Sequence, residues 1–220
     1  MSLRSKLPPT ASVVVQSRDG RLSAPAAEKN AGPITKLVKE FAPDRGLALE
    51  IASGTGQHIV KLAVVKPNLN WQPSDIDPLR IASIETWCKD YNLANVRPPI
   101  ILNATEIGWS SKFTSQKFIF LVNLFHLISE DEATILISEI SAALALGGRS
   151  IIYGPFKRNN KLTSAGDQTF HQSLIKADPQ IGYKNDAWMT AKFEEAKLEL
   201  LKVVPMPANN LAFICEKLRM

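Results

Sequence analysis

The chain has 220 residues, of which 45% are hydrophobic and 21% charged, and 26 Lys plus Arg against 21 Asp plus Glu give a formal net charge of +5. That length and balance fit one globular domain and exclude collagen-like, wholly disordered and membrane-spanning chains. The basic excess is not gathered into a run. Its densest stretch, Lys157-Arg158-Asn159-Asn160-Lys161, reads as a solvated loop, which weighs against nucleic acid as a partner. Cys88 and Cys215 lie far apart with no Cys or His at metal or redox spacing, so two free thiols and no metal site are expected. Reduced thiols and the lack of a signal-like apolar region after Arg4, Lys6 and Pro8-Pro9 point to a cytoplasmic protein. The longest apolar segment, Phe118 to Ile128, is broken by Asn123 and His126 and falls short of the ~20 residues a bilayer crossing needs.

Residues 1–26 read as an N-terminal extension, with a turn at Ser17-Arg18-Asp19-Gly20-Arg21. The first helix is marked by Ile34, Leu37, Val38 and Phe41 at helical spacing, with Pro33 in its first turn and Pro43 and Gly46 ending it. Leu47 to Ala52 is a short apolar strand that stops at Ser53-Gly54-Thr55-Gly56, before an amphipathic stretch containing Ile59, Val60, Leu62 and Ala63. The unit then repeats. Strands are expected at Leu69–Ser74, Ile100–Leu102, Lys117–Asn123 and Ser150–Tyr153, with a helix opened by Pro78 and another from Ala133 to Leu146 that stops at Gly147-Gly148. Thr163 to Trp188 alternates irregular and helical character, Ala187 to Lys197 is a last helix, and Leu198–Val204 with Leu211–Lys217 forms a β-hairpin. Alternating β/α units closed by such a hairpin define one α/β domain with a doubly wound, mostly parallel seven-stranded sheet. Its ligand belongs beyond the carboxyl ends of the strands, at the topological switch point.

The Gly-rich turn after the first of these strands could serve a phosphate group, a dinucleotide or S-adenosylmethionine. A dinucleotide loop wants a third Gly or Ala where Ile59 stands, which disfavours a nicotinamide-linked oxidoreductase, and a phosphate loop wants a Lys followed by Ser or Thr. Neither pattern is present. Instead Glu50 precedes the small residues Ala52, Ser53, Gly54 and Gly56, and Asp75 follows at the end of the second strand. S-adenosylmethionine carries an ammonium and a sulfonium but no phosphate, so acidic and amide groups suit it, and Asp75 is placed to accept from the ribose hydroxyls. The plain structural alternative is that Glu50 caps a turn and Asp75 begins the helix at Pro78.

The phrases Leu49-Glu50-Ile51-Ala52-Ser53-Gly54-Thr55-Gly56-Gln57-His58, Trp71-Gln72-Pro73-Ser74-Asp75, Tyr153-Gly154-Pro155-Phe156 and Met206-Pro207-Ala208-Asn209-Asn210 resemble the hallmarks of the methyltransferase-like proteins grouped as the domain of unknown function DUF938. The likeness runs from about Ala27 to Lys217. It implies a class I, S-adenosylmethionine-dependent methyltransferase fold and leaves the substrate open. This chain departs from the pattern at Glu28-Lys29-Asn30, where relatives have Glu-Arg-Asn, at Asn103, where they tend to have Asp, and within Ser164 to His171.

The expected cofactor site comprises Glu50, Ala52, Ser53, Gly54, Gly56, His58, Asp75, Ile76, Asn103, Ala104 and Asn123, with the Asn103 amide oxygen available to the adenine amino group. For chemistry, His126 beyond the fourth strand is the candidate general base, against the alternative of a neutral histidine packed in the apolar run Leu124 to Ile128. Tyr153 is a second catalytic candidate, and Asn30, Asn209 and Asn210 are candidates for substrate binding, resting chiefly on the family likeness. The segments Ala27–Phe41 and Pro155–Trp188 are expected to cover a small-molecule acceptor. A protein that binds S-adenosylmethionine without catalysis is the rival reading.

Overall fold

A computed structural model describes residues 14–218, so Arg4, Lys6 and Pro8-Pro9 lie outside the described residues. The chain opens with a small antiparallel hairpin, β1 (Val15–Gln16) and β2 (Leu22–Ser23), around the turn at Ser17–Arg21. Helix α1 (Pro25–Phe41) follows, then strand β3 (Gly46–Ile51), helix α2 (Gln57–Val65), strand β4 (Leu69–Asp75), helix α3 (Pro78–Tyr91) and the short strand β5 (Ile100–Ile101). Strand β6 (Gln116–Val122), a 3-10 turn at Phe125–Leu127, helix α4 (Glu130–Ala143) and strand β7 (Leu144–Pro155) complete the parallel part. Helices α5 (Ala165–Ala177) and α6 (Asp186–Glu195) lead into the hairpin β8 (Leu198–Pro205) and β9 (Asn210–Lys217).

The seven-stranded sheet runs in the order β5-β4-β3-β6-β7-β9-β8. Pairing is parallel from β5 through β7 and antiparallel where β9 inserts between β7 and β8. The chain winds outward from β3 in one direction and from β6 in the other, so the switch point lies between their carboxyl ends. Side chains alternate faces along each strand. Ala48, Phe118 and Phe120 meet Ile34, Val38, Ile59 and Ile84 on the side of α1, α2 and α3, whereas Leu49, Ile51 and Ile119 meet Leu136, Ile140 and Phe193 on the side of α4 and α6. Each such fully buried aliphatic or aromatic side chain contributes roughly 1.5–3 kcal/mol relative to exposure.

Three element boundaries differ from the expectation. Helix α1 begins at Pro25, eight residues ahead of Pro33, which sits inside the helix. Pro33 lacks an N–H and leaves one interior bond unmade, but burial of Ala31, Ile34, Leu37 and Val38 on both sides of it holds the helix together. Likewise Gly147-Gly148 does not stop α4. The helix ends at Ala143 and the chain passes straight into β7, where Gly147 is left-handed (φ 69) and the register of β6 against β7 shifts between Gln116 and Phe118. A Cβ on Gly148 would lie 2.7 Å from the Gln116 carbonyl oxygen, so the glycine serves a strand irregularity. The start of α4 is also earlier than expected, because Ser129 and Glu132 close a capping box ahead of Ala133.

Candidate functional site

The carboxyl ends of β3 and β6 open onto a cavity of about 690 Å3, within the roughly 300–1,000 Å3 typical of small-molecule sites. Glu50, the penultimate residue of β3, lines it while only 2% exposed, and its Oε2 has no hydrogen-bond partner. Burial pushes the Glu50 carboxyl up to about 8, against the lowering effect of a hydrogen bond with the Ser53 side chain and with a further rise from the charge of Asp75. A buried carboxyl with an oxygen unsatisfied is costly unless a ligand supplies the partner.

The turn that follows is built of left-handed residues, Ala52 (φ 52), Gly54 (φ 61) and Gly56 (φ 93). Its two glycines do different work. Around Gly54 nothing lies nearer to an added Cβ than 3.8 Å, so the cavity reaches the bare backbone, whereas a Cβ on Gly56 would come within 2.9 Å of the Ile84 Cα. Gly56 therefore lets α3 approach the loop and stands outside the cavity wall.

Asp75 ends β4 as expected, but it too lies behind the wall, 1% exposed. Its Oδ2 accepts from the Gly54 N–H at 2.9 Å and its Oδ1 from the Asp77 N–H at 3.0 Å. Burial raises the Asp75 carboxyl, and the Arg80 guanidinium 4.0 Å away draws it back down. Arg80 itself lines the cavity. Ile76, Asn103 and Ala104 also fall outside the wall. The Asn103 amide oxygen accepts from the Thr105 N–H and hydroxyl, and the Ala104 carbonyl from the Trp109 indole, so this loop is satisfied by its own residues.

Of the remaining candidates, Ala52, Ser53, His58, Asn123, His126 and Asn210 share the wall with Glu50 and Gly54. His58 Nε2 is 2.8 Å from Asn30 Oδ1, and burial, with a lesser effect of Lys61, pushes the imidazole down to about 4. Just behind the wall Tyr153 is buried, and burial raises its phenol above the usual tyrosine value against the lowering effect of the Asn30 and Asn210 side chains. Asn209 is turned away from the cavity. Its amide donates to Asp167 Oδ2 at 3.1 Å, on a carboxylate that also receives Thr163, Ser164 and Tyr183.

His126 sits in the 3-10 turn after Asn123 (φ 57), with a buried Nδ1 that has no partner. Burial, reinforced by the charge of Lys184, pushes it down to about 3, so the imidazole is neutral at physiological pH. Phe170 and Tyr183 meet it edge to face, at centroid distances of 5.6 and 6.2 Å, and complete an aromatic side of the cavity. These two and Ala27 fall within the segments expected to cover the acceptor and Thr55 within the Gly-rich turn, whereas Arg80 and Ala24–Ala26 are wall residues to which the sequence did not point. Pro25 followed by two alanines signals a helix start, yet nothing local says that this start faces the switch point. A second cavity, about 730 Å3, lies between the first turn of α4 and Pro179–Lys184 and shares Tyr183 with the first. Among the described residues no wall group of this second cavity is a buried polar atom lacking a partner.

Among the described residues, no group of three or more His, Cys, Asp and Glu is placed to hold a metal ion, and no helix is long and apolar enough to cross a membrane. Cys88 and Cys215 are free thiols.

A switch-point cavity under a mostly parallel seven-stranded sheet with an inserted antiparallel strand is the architecture of the Rossmann-like methyltransferase fold, and solved structures of that class superpose on this chain. An O-methyltransferase family protein from Burkholderia thailandensis matches at TM-score 0.74 and 16% identity over 88% of this chain and 57% of its own. An O-methyltransferase family 2 protein from Planctomyces limnophilus, in complex with apigenin, matches at 0.73 and 14% over 88% and 60%. Human N-acetylserotonin methyltransferase, in complex with S-adenosylmethionine, matches at 0.70 and 11% over 88% and 53%. The chain thus spans little more than half the length of these proteins. By sequence, residues 21–217 match the protein family of unknown function DUF938, and the chain belongs to that family.

Proposed function

We propose that the protein is an S-adenosylmethionine-dependent methyltransferase acting on a small molecule. The observation that carries this reading is the Glu50 carboxyl, buried at a strand end with one oxygen unpartnered and facing the cavity beside the bare backbone of Gly54. A positively charged ligand without phosphate fits those groups. Glu50 would hold its ammonium, Gly54 would let the adenosyl part approach the loop, and Asp75, which uses one acceptor direction on each oxygen, would offer its others to the ribose once Arg80 yields. When bound, S-adenosylmethionine supplies an electrophilic methyl group on its sulfonium sulfur.

The acceptor would occupy the side formed by Leu124, His126, Leu127, Phe170 and Tyr183, where the apolar and aromatic surface excludes water and favours a flat molecule. The neutral His126, with Nδ1 unpartnered, can accept a hydrogen bond from an acceptor hydroxyl and orient it; an imidazole held near 3 is too weak a base to take its proton. The small-molecule ligand named for the Planctomyces limnophilus structure is in keeping with this choice.

Calorimetry with S-adenosylmethionine, S-adenosylhomocysteine and NAD tests the cofactor. The first two should bind and the third should not; tight NAD binding with no response to the others would overturn the assignment. Turnover is tested by S-adenosylhomocysteine release with a panel of phenols and metabolite extracts. His126→Ala should weaken use of a hydroxyl-bearing acceptor about tenfold in kcat/KM, as loss of one hydrogen bond does, and leave S-adenosylhomocysteine binding intact. Cofactor binding without release under any acceptor would instead support a non-catalytic binding protein.

A further inference from the structure

The first turn of α1 contributes Ala24, Pro25, Ala26 and Ala27 to the wall that Glu50 lines. A helix start leaves several N–H groups in need of acceptors, usually met by a capping side chain. Here the 17-residue helix has no side-chain cap, and the Ala24 methyl has no polar atom to provide one. The Ala24 N–H is taken by Gln57 Oε1 at 2.7 Å, Pro25 has none, and the Glu28 N–H is bonded to the Ala24 carbonyl at 3.2 Å. The Ala26 and Ala27 N–H groups therefore remain for an outside acceptor, at the end of the helix where the dipole is positive. Three alanine methyls leave room for that acceptor to reach the backbone.

One cavity thus has a wall with two unmet poles: an anion-seeking helix end and, in Glu50, a buried carboxyl whose Oε2 seeks a donor. A ligand that carries both a carboxylate and an ammonium satisfies the two together. We infer that the amino-terminal turn of α1 is the carboxylate site for the amino-acid end of the ligand, with the Ala26 and Ala27 N–H groups donating to the carboxylate while Glu50 meets the ammonium. This rests on the S-adenosylmethionine reading and adds to it the elements that recognise the α-amino acid group.

Two measurements on the full chain test it. The first compares the affinity of S-adenosylmethionine with that of its decarboxylated analogue, which keeps the sulfonium, ammonium and adenosine. Loss of charge-assisted bonds to the carboxylate should weaken binding roughly ten- to a hundredfold. Equal affinities would overturn the inference while leaving the cofactor assignment standing; no binding of either compound, or of S-adenosylhomocysteine, would remove the cofactor assignment and the inference with it. The second uses Ala24→Asp, which installs the missing cap on the same N–H groups. Affinity for S-adenosylmethionine should fall about tenfold or more with little change for the decarboxylated analogue. An equal loss for both ligands, or none for either, would overturn the carboxylate site.

Discussion

At Glu50 the titration has a definite sign. Its carboxyl titrates near 8 in the folded protein against 4.5 for the ordinary group, because burial penalises the charged form. The folded state therefore holds more protons than the unfolded state between those values, and stability falls as pH rises from about 4.5 through 8. Glu50→Gln removes the titrating group, so melting temperatures at pH 5 and pH 8.5 should differ less in the variant than in the parent protein. The parent's extra loss should be on the order of 2–4 kcal/mol; identical pH profiles would show that Glu50 is ionised in the free protein. The two loop glycines give a second prediction. Gly54→Ala should cost only about 1 kcal/mol of stability for its left-handed backbone yet weaken cofactor binding, because the new methyl stands where the ligand approaches. Gly56→Ala, pressed against the Ile84 backbone, should cost roughly 2–4 kcal/mol as measured by denaturant unfolding. In the sequence both glycines look alike, since spacing tells that a tight turn follows the strand but not which residue of the turn faces a cavity and which faces a helix. Asn103 has the same lesson: its strand-end position was legible, whereas its commitment to Thr105 depends on a local loop geometry that no periodicity reports.

The elements were legible where burial has a clear period, and less so where the chain serves two neighbours at once. Helix α1 is recognisable from Ile34 onward because that part packs on the sheet, while its first turn is held by tertiary bonds. The Ala24 N–H donates to Gln57 Oε1, and the β1–β2 hairpin just ahead of it is tied to α3 by the Leu22 N–H on Ser83 Oγ and the Trp87 indole on the Leu22 carbonyl. Opposite, the stretch from β7 to α6 is stitched down by the Gly182 N–H on the His126 carbonyl and by the Lys184 ammonium on the Ile128 carbonyl. Asp167 is the hinge of this region. Burial alone would raise its carboxyl, but the hydrogen bonds from Thr163, Ser164, Asn209 and Tyr183 outweigh it and hold the group below the usual range. Its contribution to stability is therefore present above the unfolded carboxylate pKa and is lost as pH falls below it. Asp167→Ala should destabilise the fold by about 1–3 kcal/mol at pH 7 and, by freeing Tyr183 and Asn209, raise KM for the acceptor more than it lowers kcat. Unchanged KM with intact folding would show that α5 does not shape the acceptor side.

For the molecule as a whole, the reversal of strand order between β3 and β6 decides where everything else must act. Alternating β/α units and a terminal hairpin suffice to read a doubly wound sheet from the sequence, and the insertion of β9 between β7 and β8 then follows from the structure alone. The sequence pointed to two covering segments, Ala27–Phe41 and Pro155–Trp188, but not to which of their residues reach the cavity, because its walls come from α1, β3, α3, β6, α5 and the β8–β9 turn, which lie far apart in the chain. A ligand bound there touches both halves of the sheet and both covering segments, so its binding energy opposes global unfolding rather than the opening of one loop. At a concentration about 100 times Kd that linkage amounts to about 2.7 kcal/mol, or roughly 5–10 °C in Tm for a domain of this size. S-adenosylhomocysteine should produce a shift of that order that grows with the logarithm of its concentration, and NAD should produce none. In Glu50→Gln the shift at equal concentration should shrink, since the buried partner for the ammonium is lost. A shift of equal size in that variant would mean that the ligand binds elsewhere, and the second cavity beside α4 would become the place to look.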